Sequence, residues 1–224
     1  AHHRARTAMI PRLTLGLMLS ACAPSLAVLG PDFTPRARLV GAGHAWHLVV
    51  DGVAGPPFAG IALDEVRFAA AAPHVAYPAM PCRWLDGRCH TGQGWVVVKD
   101  HSVGRAWESV SFVTLSSDGE RLAYVAALGE RSLVVADERP IGAWDAVGPL
   151  TFDATGRLIH AAHVGRSSLV VIDGRAGPAW PSIDGLIVRG AHFAYAARDD
   201  SGERIVRDGV AGPVFERVAA PTLS

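Results

Sequence analysis

The sequence predicts an all-β fold. Three observations carry that expectation: one unit recurs five times, each unit holds four short strand-like runs, and no convincing helix follows the N-terminal segment. The repeat is legible in residues 46–58, 95–107, 132–144, 168–180 and 204–215. Each segment is an apolar run that reaches an Asp (Asp51, Asp100, Asp137, Asp173, Asp208) and places an aromatic seven positions later (Phe58, Trp107, Trp144, Trp180, Phe215). Four of the five carry Gly four places after the Asp. The Asp positions lie 49, 37, 36 and 35 residues apart, a period with one insertion, and such a period marks stacked supersecondary units. Four-stranded units at this spacing fit a β-propeller of about five blades over residues 37–224, whose radial packing leaves only short, protected edges. The alternative is a piece of a larger propeller that needs more chain or a second copy.

Composition agrees with a folded body. Half of the 224 residues are hydrophobic and 19% are charged, which suits one folded domain or two and not a disordered chain. Formal charge is zero, with 21 basic against 21 acidic groups. The first 21 residues contain Arg4, Arg6 and Arg12 and no acid, so the remainder is mildly acidic. A basic nucleic-acid binder is thereby excluded as the default reading.

Residues 1–22 read as a targeting segment. Three arginines precede the apolar run 13–19, which ends in the small residues Ser20 and Ala21 and is too short to span a bilayer. Leu19-Ser20-Ala21-Cys22 resembles a bacterial lipobox. That resemblance implies cleavage before Cys22, lipidation of its thiol and a membrane tether without a spanning helix. Ala23 after the Cys, by resemblance to enterobacterial lipoproteins, implies the outer membrane, on the periplasmic side. An ordinary signal peptide with an incidental Cys is the alternative. Residues 23–36 read as a linker.

The repeated unit has a readable physics. A β-branched run ending in Asp-Gly predicts a strand entering a tight turn, because both residues tolerate positive φ. Pro after the repeated Gly predicts that the next strand begins at or beyond it. The aromatic then recurs once per unit, as an element stacked on its neighbour requires. Two further strands per unit lie between these hairpins: 111–115 and 121–126 around Asp118-Gly119, 150–152 and 157–161 around Thr155-Gly156, 186–188 and 192–196 around Arg189-Gly190, and 66–68 and 74–77. The first unit begins at Arg38 and lacks a first strand. The leftover 218–223 is expected to supply it and close the ring, although Pro221 suits a paired strand poorly.

The stretch Phe112-(x)5-Asp118-Gly119-Glu-Arg121-Leu122-Ala123-Tyr124 resembles the WD40-like repeat of TolB-type periplasmic propellers. The Asp-Gly-(x)2-Gly-Pro-(x)-aromatic segments resemble a variant common in bacterial secreted and lipid-anchored propellers. The resemblance implies fold and envelope location. It implies no reaction, because this architecture hosts many functions.

Candidate chemistry is sparse. The sequence has no Gly-x-Ser-x-Gly elbow, phosphate-cradling loop, His-Glu-x-x-His or dinucleotide fingerprint, and no cofactor is expected. His160 and His163 stand three apart on a predicted strand, hence on opposite faces, so no metal site is expected there. The recurring Asp set reads as turn residues and the recurring aromatics as packing. Cys82 and Cys89 flank an Asp86-Gly87 turn signal, and a disulfide is favoured over a metal pair or two free thiols, both of which stay open. Residues 78–94 belong to no other unit. A stapled loop there, with Trp84, Asp86, Arg88 and His90, reads either as a partner-binding surface, to which Lys99 and His101 on the same hairpin are expected to contribute, or as an idle, tolerated insertion. The function expected is a lipid-anchored, non-catalytic scaffold for another envelope protein or a polymer. The alternative is a glycan hydrolase or lyase with acids such as Glu65, Asp153 and Asp184 converging at a central channel.

Overall fold

The computed structural model describes residues 27–29, 35–42 and 44–223; the stretch read as an export signal and Cys22 lie outside the described residues. Among the described residues, strands account for nearly all regular structure, joined by one 3-10 turn, Leu63–Glu65. All pairings are antiparallel, and they fall into five successive units.

The third unit shows the pattern in full: Val110–Leu115, Leu122–Leu128, Arg131–Ala136 and Arg139–Trp144 pair in that order. The fifth repeats it with Ser182–Arg189, His192–Asp199, Gly202–Arg207 and Val210–Ala211. In the fourth unit the first strand is split into Ala146–Val147 and Thr151–Phe152, both on Leu158–Val164.

The repeated Asp holds the same turn in every unit and adds the same clamp in four of them. Asp51, Asp100, Asp137, Asp173 and Asp208 all sit at positive φ between 46° and 55°, at the turn from third to fourth strand. Four of their side chains also reach sideways: Oδ1 of Asp100, Asp137, Asp173 and Asp208 accepts the backbone N–H that opens the second strand, from Val75, Leu122, Leu158 and Phe193 at 2.9–3.1 Å. For Asp208 that backbone bond, with His192 beside it, holds the carboxyl below the usual carboxylate range.

The repeated Gly is explained by close approach. The N–H of Gly55, Gly104, Gly177 and Gly212 bonds the carbonyl of Leu48, Val97, Val170 and Ile205, each at 2.9 Å. A β-carbon on any of these glycines would stand 3.1 Å from that same oxygen. The fourth strand starts directly after Asp-Gly, at Val53, Arg175 and Val210, and not beyond the Pro as the sequence reading expected. Pro interrupts this edge strand and pairing resumes at the aromatic, as in the isolated bridges Trp95–Trp107, Ser168–Trp180 and Glu203–Phe215.

Two further expectations are corrected. Five separate four-stranded sheets were expected, whereas the first two units share one ten-stranded sheet, followed by sheets of four, five and four strands. The second strand of unit two, Val75–Leu85, is 11 residues long. Its extra length lets Phe58 pair with Pro81 on one side while it pairs with Trp46 on the other. Nor does the first unit lack a first strand. Ala27–Leu29, inside the stretch read as linker, pairs with Pro35–Ala42 on the side away from its third strand. The C-terminal 218–223 forms no strand; it lies on unit five, with the Val218 N–H bonded to Glu203 and the Leu223 carbonyl accepting from Arg189.

The core lies between successive units. Ala76 and Val97 of the second face Trp107, Val113, Leu122 and Tyr124. Ala123, Val125 and Val134 of the third face Leu150 and Leu158 of the fourth. Ile159 and Val170 of the fourth face Phe193, Tyr195 and Val206 of the fifth. Polar latches reinforce two of these joints: Arg121 reaches Gly156 O at 2.7 Å and Asp173 at 3.0 Å, and Arg157 reaches Ala191 O at 2.7 Å.

Replacing Asp173 by Ala removes the clamp and leaves a residue without a side-chain oxygen at φ 46°. The expected cost is about 2–3 kcal/mol, or roughly 4–12 °C of thermal midpoint. Asp173→Asn keeps an acceptor and a tolerated backbone, so it loses less. Equal losses in the two variants, followed by circular dichroism on heating, would refute the clamp.

Candidate functional site

The insertion builds one feature outside the repeat. After Pro81 the second strand of unit two continues past its sheet, and Arg88–Thr91 folds back on it as a two-stranded ribbon. Asp86 (φ 49°) and Gly87 (φ 74°) form the turn at its apex, which is the conformation the Asp-Gly pair signalled. Such a ribbon is marginal alone. Here Cys82 and Cys89 are joined as a disulfide across it. Trp84 is 51% exposed and Leu85 44%; Arg83, Asp86, Arg88 and His90 are exposed as well.

The structure brings together only part of the patch read from the sequence. Trp84, Asp86, Arg88 and His90 share the ribbon. Lys99 and His101 do not reach it. Lys99 pairs with Ala76, whereas the ribbon leaves the sheet beyond Pro81, so these residues sit at the opposite end of unit two. Lys99 serves a joint between units instead, where its Nζ donates to the Glu120 carbonyl of the next unit at 2.7 Å. Strand direction explains the error, since four residues of Val96–Lys99 separate the two ends of one hairpin.

The three candidate acids are engaged separately. Glu65 accepts from Arg67 at 3.1 Å within the 3-10 turn. Asp153 is buried in the turn before the second strand of unit four; burial pushes its carboxyl upward, but bonds from Thr155 and Arg157 win and hold it low. Asp184 is exposed and lines a cavity of about 320 Å³ with Pro149, Thr151 and Leu186, where it is the one acid among the lining residues. Glu65 and Asp153 thus serve their own turns, whereas Asp184 also lines a second cavity, of about 200 Å³, together with Glu203.

Aromatic packing is where sequence reading missed detail. The repeated aromatic meets a ring on the second strand of the next unit, edge to face: Phe58 with Tyr77, Trp107 with Tyr124, Trp144 with His160, at 6.3–6.4 Å between centroids. The Trp107 indole N–H donates to the Tyr124 hydroxyl at 3.2 Å. Burial pushes the phenols of Tyr77 and Tyr124 up to about 12. His160 therefore stands where three other units carry Tyr77, Tyr124 and Tyr195. It is 1% exposed, its Nε2 has no partner, and desolvation lowers its pKa from 6.5. His163 points the other way, is exposed and bonds Ser168 at 3.0 Å. A second missed residue is Phe112, whose φ of 53° at a bulge in the first strand of unit three matches Gly185 (62°) in unit five. No sequence signal marks that strain at a Phe.

No family model matches the chain, and no curated protein matches it. Among solved structures it is similar to a luciferin-regenerating enzyme, at 14% identity and a TM-score of 0.34, over 86% of this chain and 80% of that one.

His160 gives a signed pH prediction. Unfolding exposes it, so the unfolded chain takes up a proton near pH 6.5 that the folded chain refuses. Its contribution is therefore complete above that value and is lost as pH falls, levelling out below the depressed folded pKa. His160→Tyr restores the ring of the other units and removes this dependence. The expected outcome is a smaller fall in thermal midpoint between about pH 7 and pH 5 than in the parent chain. Parallel declines would show that His160 does not titrate across unfolding.

Proposed function

We propose that this chain is a five-unit β-propeller scaffold without catalysis of its own. It is exported, held to the envelope through lipidated Cys22, and recruits another envelope protein or a polymer through the stapled ribbon. The observation that carries the reading is the ribbon itself. It departs from the repeat, and a disulfide staples its two strands. It also displays a Trp at 51% exposure. Exposed aromatics and arginines are the residues most often found at the centres of protein interfaces.

The use of polar groups elsewhere supports the same reading. The recurring Asp residues hold turns, Asp153 organises a loop, and Arg121, Arg157 and Lys99 fasten one unit to the next. Among the described residues no helix is long and apolar enough to cross a membrane.

The test is capture from envelope extract with the tagged full chain and the Trp84→Ala/Arg88→Ala variant. Because both side chains are exposed, the thermal midpoint should stay within about 2 °C, as surface changes of this kind fall within about 0.5 kcal/mol. Co-purifying protein should be lost. Unaltered capture by the variant would sink the proposal.

A further inference from the structure

We propose that one face of the ribbon binds an extended acidic polypeptide segment; this rests on the scaffold reading and names the chemistry of its partner. The register decides the two faces. Cys82 pairs with Thr91, Arg83 with His90, Trp84 with Cys89 and Leu85 with Arg88. Side chains alternate along a strand, so Cys82, Trp84, Cys89 and Thr91 share one face while Arg83, Leu85, Arg88 and His90 share the other. The disulfide and the Trp are on the first. The second is basic.

That basic face is unbalanced. Arg83, Arg88 and His90 are all exposed, and among the described residues none of them enters an ion pair. Arg83 lies directly opposite His90 and diagonal to Arg88, an arrangement of basic groups that stabilises nothing by itself. It suits an anion supplied from outside. Diagonal cross-strand neighbours are about 7–8 Å apart, close to the roughly 6.5–7 Å between alternate residues of an extended chain. Two carboxylates at alternate positions of a partner strand thus meet two guanidinium groups, each able to take its carboxylate bidentately. Leu85, between the basic groups, offers an apolar contact.

The backbone adds to the match. Among the described residues Arg88–Thr91 pairs with Val75–Leu85 alone, and a segment hydrogen-bonded along its outer edge meets Arg88 and His90 first, with Arg83 one strand further in. An anionic lipid surface fits less well. Asp86 stands at the apex, where it would meet the headgroups first, and Trp84 faces away from the arginines, so the apolar and basic groups cannot enter one interface together.

The experiment uses the full chain and a fluorescein-labelled peptide of alternating Glu and Thr, with a Gln-for-Glu peptide as control, read by anisotropy at low salt. The Glu peptide should bind and the Gln peptide should not. Arg83→Ala/Arg88→Ala should weaken binding at least tenfold, while Trp84→Ala, on the other face, should stay within twofold. Equal binding of the Gln peptide, an unaffected double arginine variant, or sedimentation with phosphatidylglycerol vesicles in place of peptide binding would each overturn the inference. No peptide binding alongside ribbon-dependent capture from envelope extract would remove the acidic partner and leave the scaffold. Peptide binding alongside ribbon-independent capture would keep this site and remove the scaffold role.

Discussion

The structure depends on one contact made over and over: an aromatic ring that leaves the edge of its own unit and buries itself against the second strand of the next. Phe58 and Trp107 are only 3% and 4% exposed because the following unit covers them. Each ring brings a large apolar area and an edge-to-face partner, the latter worth about 0.5–1.5 kcal/mol beyond burial. No unit has a second layer of its own, so its sheet is stable only as part of a stack. Phe215 shows the same ring without the contact. Among the described residues no sheet follows unit five, and Phe215 is 52% exposed. The tail over residues 218–223 covers part of that face through Glu203 and Arg189.

A stack held by hydrophobic faces still needs each sheet to end where its neighbour expects. The Asp clamp sets that limit. By binding the N–H that opens the second strand, the carboxylate ties a turn to a residue 15 positions away in units three to five and 25 away in unit two. The insertion accounts for the longer span without disturbing the clamp, because the added residues leave from the other end of the sheet. A ribbon can therefore be grown from this unit at little cost to the stack. It also explains why Lys99 and His101, close to the insertion in sequence, are far from it in space.

Much of this was legible in the chain itself. The apolar run, the Asp-Gly turn and the aromatic recur at fixed offsets, and each offset has a local meaning: a strand, a positive φ, a ring per unit. The Asp86-Gly87 pair announced the turn that brings Cys82 and Cys89 together. What stayed hidden was non-local. That Asp137 also serves the Leu122 N–H cannot be read from a turn motif. That Ala27–Leu29 pairs with Pro35–Ala42 is invisible in three residues of no periodicity. The left-handed Phe112 looked like any strand Phe, because the bulge that strains it is set by the register of Leu122–Leu128.

Repetition also bears on where function can reside. A residue that plays the same part in every unit is held to it by folding, so the recurring Asp and aromatic positions have little freedom to take on recognition. Departures from the repeat are free of that constraint, but they differ in kind. His160 in place of Tyr leaves a buried nitrogen without a partner, a loss to the core that its position hides from any ligand. The ribbon is the opposite case: it adds exposed arginines that enter no ion pair among the described residues, and a disulfide staples the two strands that carry them. Folding explains the first departure as a tolerated imperfection. The second departure lies outside the repeated packing, on a loop that the scaffold holds out into solvent, where substitutions are least constrained by the stack.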